Sequence, residues 1–169
     1  MKLQQLIINN QKEFENIFTT SSFDNQKANL VLVFGEREIL EISSPYTKIK
    51  ELYPQAHIVT CSTSGQFSNS NIEFNSIVST AIEFEKSHIK AVEIDILENN
   101  SIKVLGDKVS KELFKEDLKL ILVLSEGSFI NGTELVEELE KQIILNENDK
   151  EIFLNFNNDK NFFYIKQTS

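Results

Sequence analysis

Ile58-Val59-Thr60-Cys61-Ser62-Thr63-Ser64-Gly65-Gln66-Phe67 reads as a buried strand that runs straight into a small polar loop ending in glycine. The loop gathers backbone N–H groups, the hydroxyls of Ser62, Thr63 and Ser64, and the chain's only thiol, Cys61. At the end of a buried strand such a loop suits the binding of a small ligand better than it suits packing.

Outward from this stretch, Ala28–Phe34 and Leu118–Leu124 are nearly continuous apolar runs, the pattern of strands covered on both faces. Leu3–Ile8 is a further, weaker strand. Helical spacing marks Gln11–Thr20 through Phe14, Ile17 and Phe18, and the segment after Ser44-Pro45 through Tyr46, Ile49, Leu52 and Tyr53. Ser44 reads there as the N-cap, and Pro54 as the stop. Ser101–Phe114 and Asn131–Gln142 follow as helices, with Thr133 helping to cap the second. Gly106 weakens the first by about 1 kcal/mol relative to alanine. Ile72–Phe84 and Ile89–Leu97 alternate in polarity and predict an antiparallel hairpin, with Ile72, Phe74, Val78 and Ile82 on the dry face. Glu151–Phe156 and Asn161–Lys166 predict a second hairpin at the apolar tail. Covered strands alternating with helices give an α/β fold: a mixed β-sheet with helices packed on it, containing an antiparallel hairpin.

The 169 residues suffice for one good core, and a single domain over 1–169 is the expectation. Net charge −9 and a pI near 4.8 argue against nucleic acid or an anionic membrane as partner, since both need a basic footprint. One cysteine cannot build an internal disulfide framework and fits a reducing compartment. Met1–Asn10 is too short and polar for a signal peptide, and no apolar run reaches the ~18 residues of a membrane span. The expectation is a cytoplasmic protein.

Three strand exits, Gly35-Glu36-Arg37-Glu38, Ser62-Thr63-Ser64-Gly65 and Ser125-Glu126-Gly127-Ser128, would share one sheet edge if their strands were parallel neighbours. Asn131-Gly132 precedes a helix whose N–H groups could receive a carboxylate. A nucleophilic Cys61 would need a base, and His57 lies about 13 Å away along an extended strand. His88 sits in a charged turn. Cys61 therefore reads as a small buried residue, and no catalytic residue is expected. Two isolated histidines and one cysteine offer no chelating spacing, and no phosphate-cradling glycine motif is present, so neither a metal nor a cofactor is expected.

Several of these blocks together resemble the FIST N-terminal domain. Thr60-Cys61-Ser62-Thr63-Ser64-Gly65-Gln66-Phe67 is similar to its "G-C-S-T-A-G-E-I" motif, with Thr60 in place of the usual glycine. Leu30–Gly35 resembles its first core strand. Ile121–Gly127 followed by Asn131-Gly132 is similar to its "L-V-F-S-D-G…N-G" stretch. The resemblance spans about residues 28–142; the later "G-G-x-A-G-D" stretch and a second FIST domain do not follow, so a shortened member is expected. It implies the ligand-sensing part of bacterial signalling proteins, found beside kinases, chemoreceptors or cyclic-dinucleotide enzymes, with amino acids among the suggested ligands. Some relatives bind haem.

The expected function is a non-enzymatic sensory module for an amino acid or related small acid, working with a signalling partner or a second copy of itself. The expected ligand-binding residues are Cys61, Ser62, Thr63, Ser64, Gly65, Ser125, Glu126, Gly127, Asn131 and Gly132. A protein-interaction module without a pocket is the alternative from another class, and a haem-based gas sensor through His57 or His88 a third.

Overall fold

Residues 1–9, 14–69, 71–95, 101–113, 118–126, 131–143, 151–157 and 161–168 are described by the computed structural model. They fall into two compact units, Met1–Lys86 and Ser87–Ser169. The fold is mixed α/β, as expected, but its strands are shared between two large sheets.

In the first unit the apolar run becomes β3 (Leu30–Gly35), and the quoted stretch becomes β4 (His57–Ser62), parallel to it with Val31 opposite Ile58 and Gly35 opposite Ser62. The sheet also contains β1 (Lys2–Ile8), β2 (Phe14–Thr19) and β7 (Ile77–Glu83), in the order β2-β1-β7-β3-β4. All its other pairings are antiparallel. Helices α1 (Arg37–Ser43) and α2 (Tyr46–Leu52) link β3 to β4, and the two-stranded ribbon of β5 (Gln66–Ser68) and β6 (Asn71–Glu73) links β4 to β7.

Four expectations are corrected here. Gln11–Thr20 is not a helix: its described part is β2, because a short segment gains more from pairing with β1 than from isolated helical turns. Thr20 seals that ladder, its hydroxyl accepting from the Leu3 N–H at 2.8 Å and donating to the Leu3 carbonyl at 3.1 Å. Ser44 is not the N-cap of α2; it closes α1 in a left-handed conformation (φ 41°), its N–H bonded to the Leu40 carbonyl. Ile72–Phe84 is not one strand. A break at Phe74–Ser76, with Asn75 at φ 53°, separates β6 from β7. After the break Ile77, Ser79, Ala81 and Glu83 are buried, the parity expected to be wet. The break reverses the parity: Ser79, Ala81 and Glu83 are buried while Thr80 and Ile82 are only half-buried, with Val78 buried beside Ile77. Finally, β7 does not form a hairpin with β8 (His88–Asp95), which belongs to the second sheet; the antiparallel hairpins are β1–β2 and β5–β6.

The core of this unit joins Leu6 and Ile8 of β1, Val31 and Val33 of β3, Ile77 and Ala81 of β7, and Ile49 with Tyr53 around α2. Tyr53 is fully buried. Its hydroxyl donates to Gln4 Oε1 at 2.6 Å, and its ring meets Phe23 edge-on at 6.3 Å.

The second unit is a four-stranded sheet, β10-β9-β11-β8, formed by β8, β9 (Leu118–Glu126), β10 (Glu151–Asn157) and β11 (Asn161–Thr168). The tail is not a hairpin. It pairs with the sheet, but β9 stands between its two strands, parallel to β10 and antiparallel to β11. Helices α3 (Ile102–Leu113) and α4 (Gly132–Ile143) fall where their periodicity placed them, and Leu105, Val109, Leu113, Leu135 and Leu139 join Leu118, Ile121 and Val123 in the core. Gly106 has a reason to be glycine: a Cβ there would lie 2.6 Å from Glu138 Cγ on α4. Among the described residues no helix is long and apolar enough to cross a membrane.

Two predictions follow from this packing. Gly106→Ala gains about 1 kcal/mol of helix propensity but must displace Glu138, so urea unfolding should show a net loss of roughly 1–2 kcal/mol. In a Glu138→Ala background the same substitution should stabilise; equal effects in both backgrounds would remove the close-approach explanation. Burial pushes the Tyr53 phenol up to about 12. The unfolded chain releases that proton near pH 10 while the folded chain keeps it, so this contribution is intact below pH 10 and is lost as pH rises to about 12. Unfolding titrations should show an alkaline loss of up to about 3 kcal/mol that is absent from Tyr53→Phe.

Candidate functional site

The first unit carries an open cleft of about 470 Å³. One wall is the β1–β2 hairpin, through Ile7, Asn9, Glu15 and Ile17. The other is the β5–β6 ribbon and the break after it, through Ser68, Asn71, Glu73 and then Phe74, Asn75 and Ser76. Asparagine recurs along this wall at 69, 71 and 75. Asn69 and Asn75 both take left-handed backbone (φ 50° and 53°), which asparagine tolerates better than most residues. The first turns β5 into β6, and the second turns the chain back into β7.

The strand-end loop stands behind this wall. Gln66 is buried, and its Nε2 donates to the Ser76 carbonyl at 2.8 Å and to Ser76 Oγ at 2.9 Å. Its Oε1 accepts from the Thr63 hydroxyl at 3.1 Å. The Thr63 N–H donates to the Gly35 carbonyl at 2.8 Å, joining the β4 exit to the β3 exit. Glu36, first residue past β3, accepts the Asn75 N–H at 2.8 Å. Ser68 donates to Glu73, and Gln5 reaches both the Asn69 N–H, at 2.7 Å, and the Thr80 hydroxyl, at 3.0 Å.

The expected site residues separate accordingly. Cys61, Ser62, Thr63, Ser64 and Gly65 lie together at the end of β4, but none of them lines the cleft. Cys61 is buried at 3% exposure with its thiol 3.8 Å from the Ser62 carbonyl, the environment of a packed side chain. Thr63 reaches the cleft wall through Gln66. Gly65 leaves room for Phe74, whose ring would lie 3.3 Å from a Cβ there.

The remaining expected residues belong to the second unit. Ser125 and Glu126 are the last residues of β9, not a loop, and Ser125 is buried, its hydroxyl without a hydrogen-bond partner among the described residues. Gly127 lies outside the described residues. Asn131 caps α4: its Oδ1 accepts the Thr133 N–H at 3.1 Å and the Glu134 N–H at 3.5 Å, and its Nδ2 donates to Glu134 at 3.2 Å. Gly132 opens that helix. β9 is not a neighbour of β3 and β4, so the three exits do not share one sheet edge.

Sequence reading missed the cleft residues themselves. Glu15 falls in the predicted helix Gln11–Thr20, Glu73 and Asn75 fall on the wet parity of the predicted strand Ile72–Phe84, and Asn9 and Asn71 fall in no predicted element. The available signal was the pair of asparagines that bracket Ile72-Glu73-Phe74. Among the described residues no group of three His, Cys, Asp or Glu side chains is placed to hold a metal ion. His57 opens β4 and His88 opens β8, both exposed.

No curated protein matches the chain. The model of the FIST N domain matches residues 29–146, more than half of the chain and including β3, the β4 loop, the ribbon, β9 and α4. The chain therefore belongs to the FIST N domain family, a family of sensory domains in signal transduction.

Proposed function

We propose that the chain is a non-enzymatic module that senses a small ligand, an amino acid or a related compound, in the cleft between the β1–β2 hairpin and residues 68–76. The observation that carries this reading is the wiring of the cleft wall. Asn75 and Ser76 line the cleft, and they are bonded from behind by Glu36 and Gln66, which belong to the exits of β3 and β4. A ligand that moves the wall therefore moves the loop carrying the family motif. Signalling then works by population shift, with the altered loop surface read by a protein partner. The sensory character of the family supports this reading over an enzyme.

One observation favours a second reading, an interaction module whose surface is the output. Phe67, Ile72 and Phe74 are exposed at 70%, 57% and 61%, and Phe67 sits opposite Ile72 across the ribbon. Clustered apolar side chains on a protruding ribbon mark contact surfaces.

Thermal-shift measurements with free amino acids and related small acids separate the two. A ligand at about 100 times its Kd stabilises by about 2.7 kcal/mol, and Asn71→Trp, which places a bulky ring on the cleft wall, should weaken the shift. If no compound shifts the wild type, or Asn71→Trp leaves the shift intact, the cleft is not the sensor. Gln66→Leu should lower stability by roughly 1–3 kcal/mol in chemical denaturation, because the Ser76 carbonyl and the Thr63 hydroxyl lose a buried partner. A stability loss well below that range would mean that the amide clamp does not hold the wall.

A further inference from the structure

The β5–β6 ribbon is built inside out. Gln66 and Ser68 are buried at 4% and 1% exposure, while Phe67 between them and Ile72 opposite it stand out at 70% and 57%. Hydrogen bonds hold this parity. The Gln66 amide is engaged by Ser76 and Thr63, and Ser68 donates to Glu73. A one-residue slip of β5 would bring Phe67 inward and leave the Ser76 carbonyl and the Thr63 hydroxyl without the amide that meets them. Phe74, 61% exposed, extends the apolar face. A Cβ at Gly65 would meet the Phe74 ring at 3.3 Å and Ile72 Cγ2 at 3.9 Å, so these two side chains come together over bare backbone.

Three side chains of this size expose on the order of 300–400 Å², the range of a functional patch on a monomer. Two copies meeting through it would bury well under the ~1,200 Å² at which specific, stable interfaces begin. Each copy would also bring a net charge of −9 to the other. Area and charge thus disfavour a second copy and favour a short segment of another protein. Charge also sets the chemistry of that segment. Glu73 lies between Ile72 and Phe74 in the chain, and Glu36 accepts the N–H of Asn75, next to Phe74, at 2.8 Å. Ser68 and the Asn75 N–H are neutral donors, so neither cancels the carboxylate charge it meets. We propose that the outward face of the ribbon docks a protein segment that sets apolar anchors in a basic frame: aliphatic or aromatic side chains on Phe67, Ile72 and Phe74, with lysine or arginine facing Glu73 and Glu36. The inference rests on the ribbon acting as a contact surface. Phe74 also lines the cleft, so the docked segment touches the wall that a small ligand moves.

The test pans a random peptide display library against the full chain and measures the recovered peptides by isothermal titration. Wild type, Phe67→Ser, Ile72→Ser, Glu73→Gln and Ile42→Ser are compared, with circular dichroism to confirm that each variant is folded. Ile42, 74% exposed on α1, controls for the loss of an exposed apolar side chain elsewhere. Sedimentation velocity reports the oligomeric state of wild type and Phe67→Ser. The expected result is a set of peptides that combine apolar anchors with lysine or arginine and bind saturably to a monomer. Their affinity should fall at least about tenfold with Phe67→Ser and with Ile72→Ser, but not with Ile42→Ser. Glu73→Gln and added salt should weaken the same peptides. Peptides that need Phe67 and Ile72 but carry no basic residue, or are indifferent to Glu73→Gln, would keep the ribbon as a contact surface and overturn the basic frame. Failure to recover any peptide that depends on the ribbon would overturn both. A wild-type dimer that Phe67→Ser dissociates would assign the face to a second copy and overturn the inference.

Discussion

The missing side chain of Gly35 is the constraint on which the site end of the first unit depends. Three chain segments converge there: β7 with Ile77 in register, β4 with Ser62 in register, and the Thr63 N–H bonded to the Gly35 carbonyl. A Cβ on residue 35 would lie 2.8 Å from Ile77 Cγ1 and 3.2 Å from the Ser76 carbonyl. Ile77 is fully buried and branched at Cβ, so it has no open space into which to retreat. Bare backbone at the end of β3 is what lets Ser76 come close enough for the Gln66 amide to reach it. The cleft wall is thus placed by a packing decision made one strand away.

Polar atoms in this region are spent on holding that arrangement. Gln66 uses both amide hydrogens on Ser76 and its oxygen on Thr63, which meets the demand of a buried amide. Glu36 stands in the capping position of α1 without capping it, and its carboxylate crosses to Asn75 instead. Ser79 on β7 shows the alternative. It is fully buried, and among the described residues its hydroxyl has no hydrogen-bond partner.

Sequence patterning located what depends on one strong signal. The continuous apolar runs at 28–34 and 118–124 become β3 and β9, and the helical periodicities after Pro45, at 101–114 and at 131–142 become α2, α3 and α4. The resemblance drawn from residues 28–142 agrees with the family match over 29–146. What was illegible has physical causes. α1 has no capping signal because Glu36 is engaged elsewhere, and its apolar residues Ile39 and Leu40 are only partly buried. β2 has helical spacing that tertiary pairing overrides. Which strands pair is a long-range choice that alternation cannot encode, so β7 and β8 look like a hairpin yet enter different sheets. The motif around Cys61 was readable as a special loop, but its Thr63 hydroxyl is bonded to Gln66 and none of its residues lines the cleft, which includes asparagines and glutamates from other segments.

That division between backing and face bears on how such a module could report a ligand. A group that pushes on Ser76 must strain or break bonds to Gln66, each worth about 1 kcal/mol net in a folded protein. Pushing on Asn75 strains the bond to Glu36 in the same way. The two linkages return to β4 and β3, whose ends are tied through Thr63 and Gly35. Each linkage from the wall passes through a side chain, the Gln66 amide or the Glu36 carboxylate, to the ends of β4 and β3. A differential ligand affinity of a few kcal/mol is then comparable with the bonds that define the resting loop, which is the condition under which binding can shift a population instead of merely filling a hole.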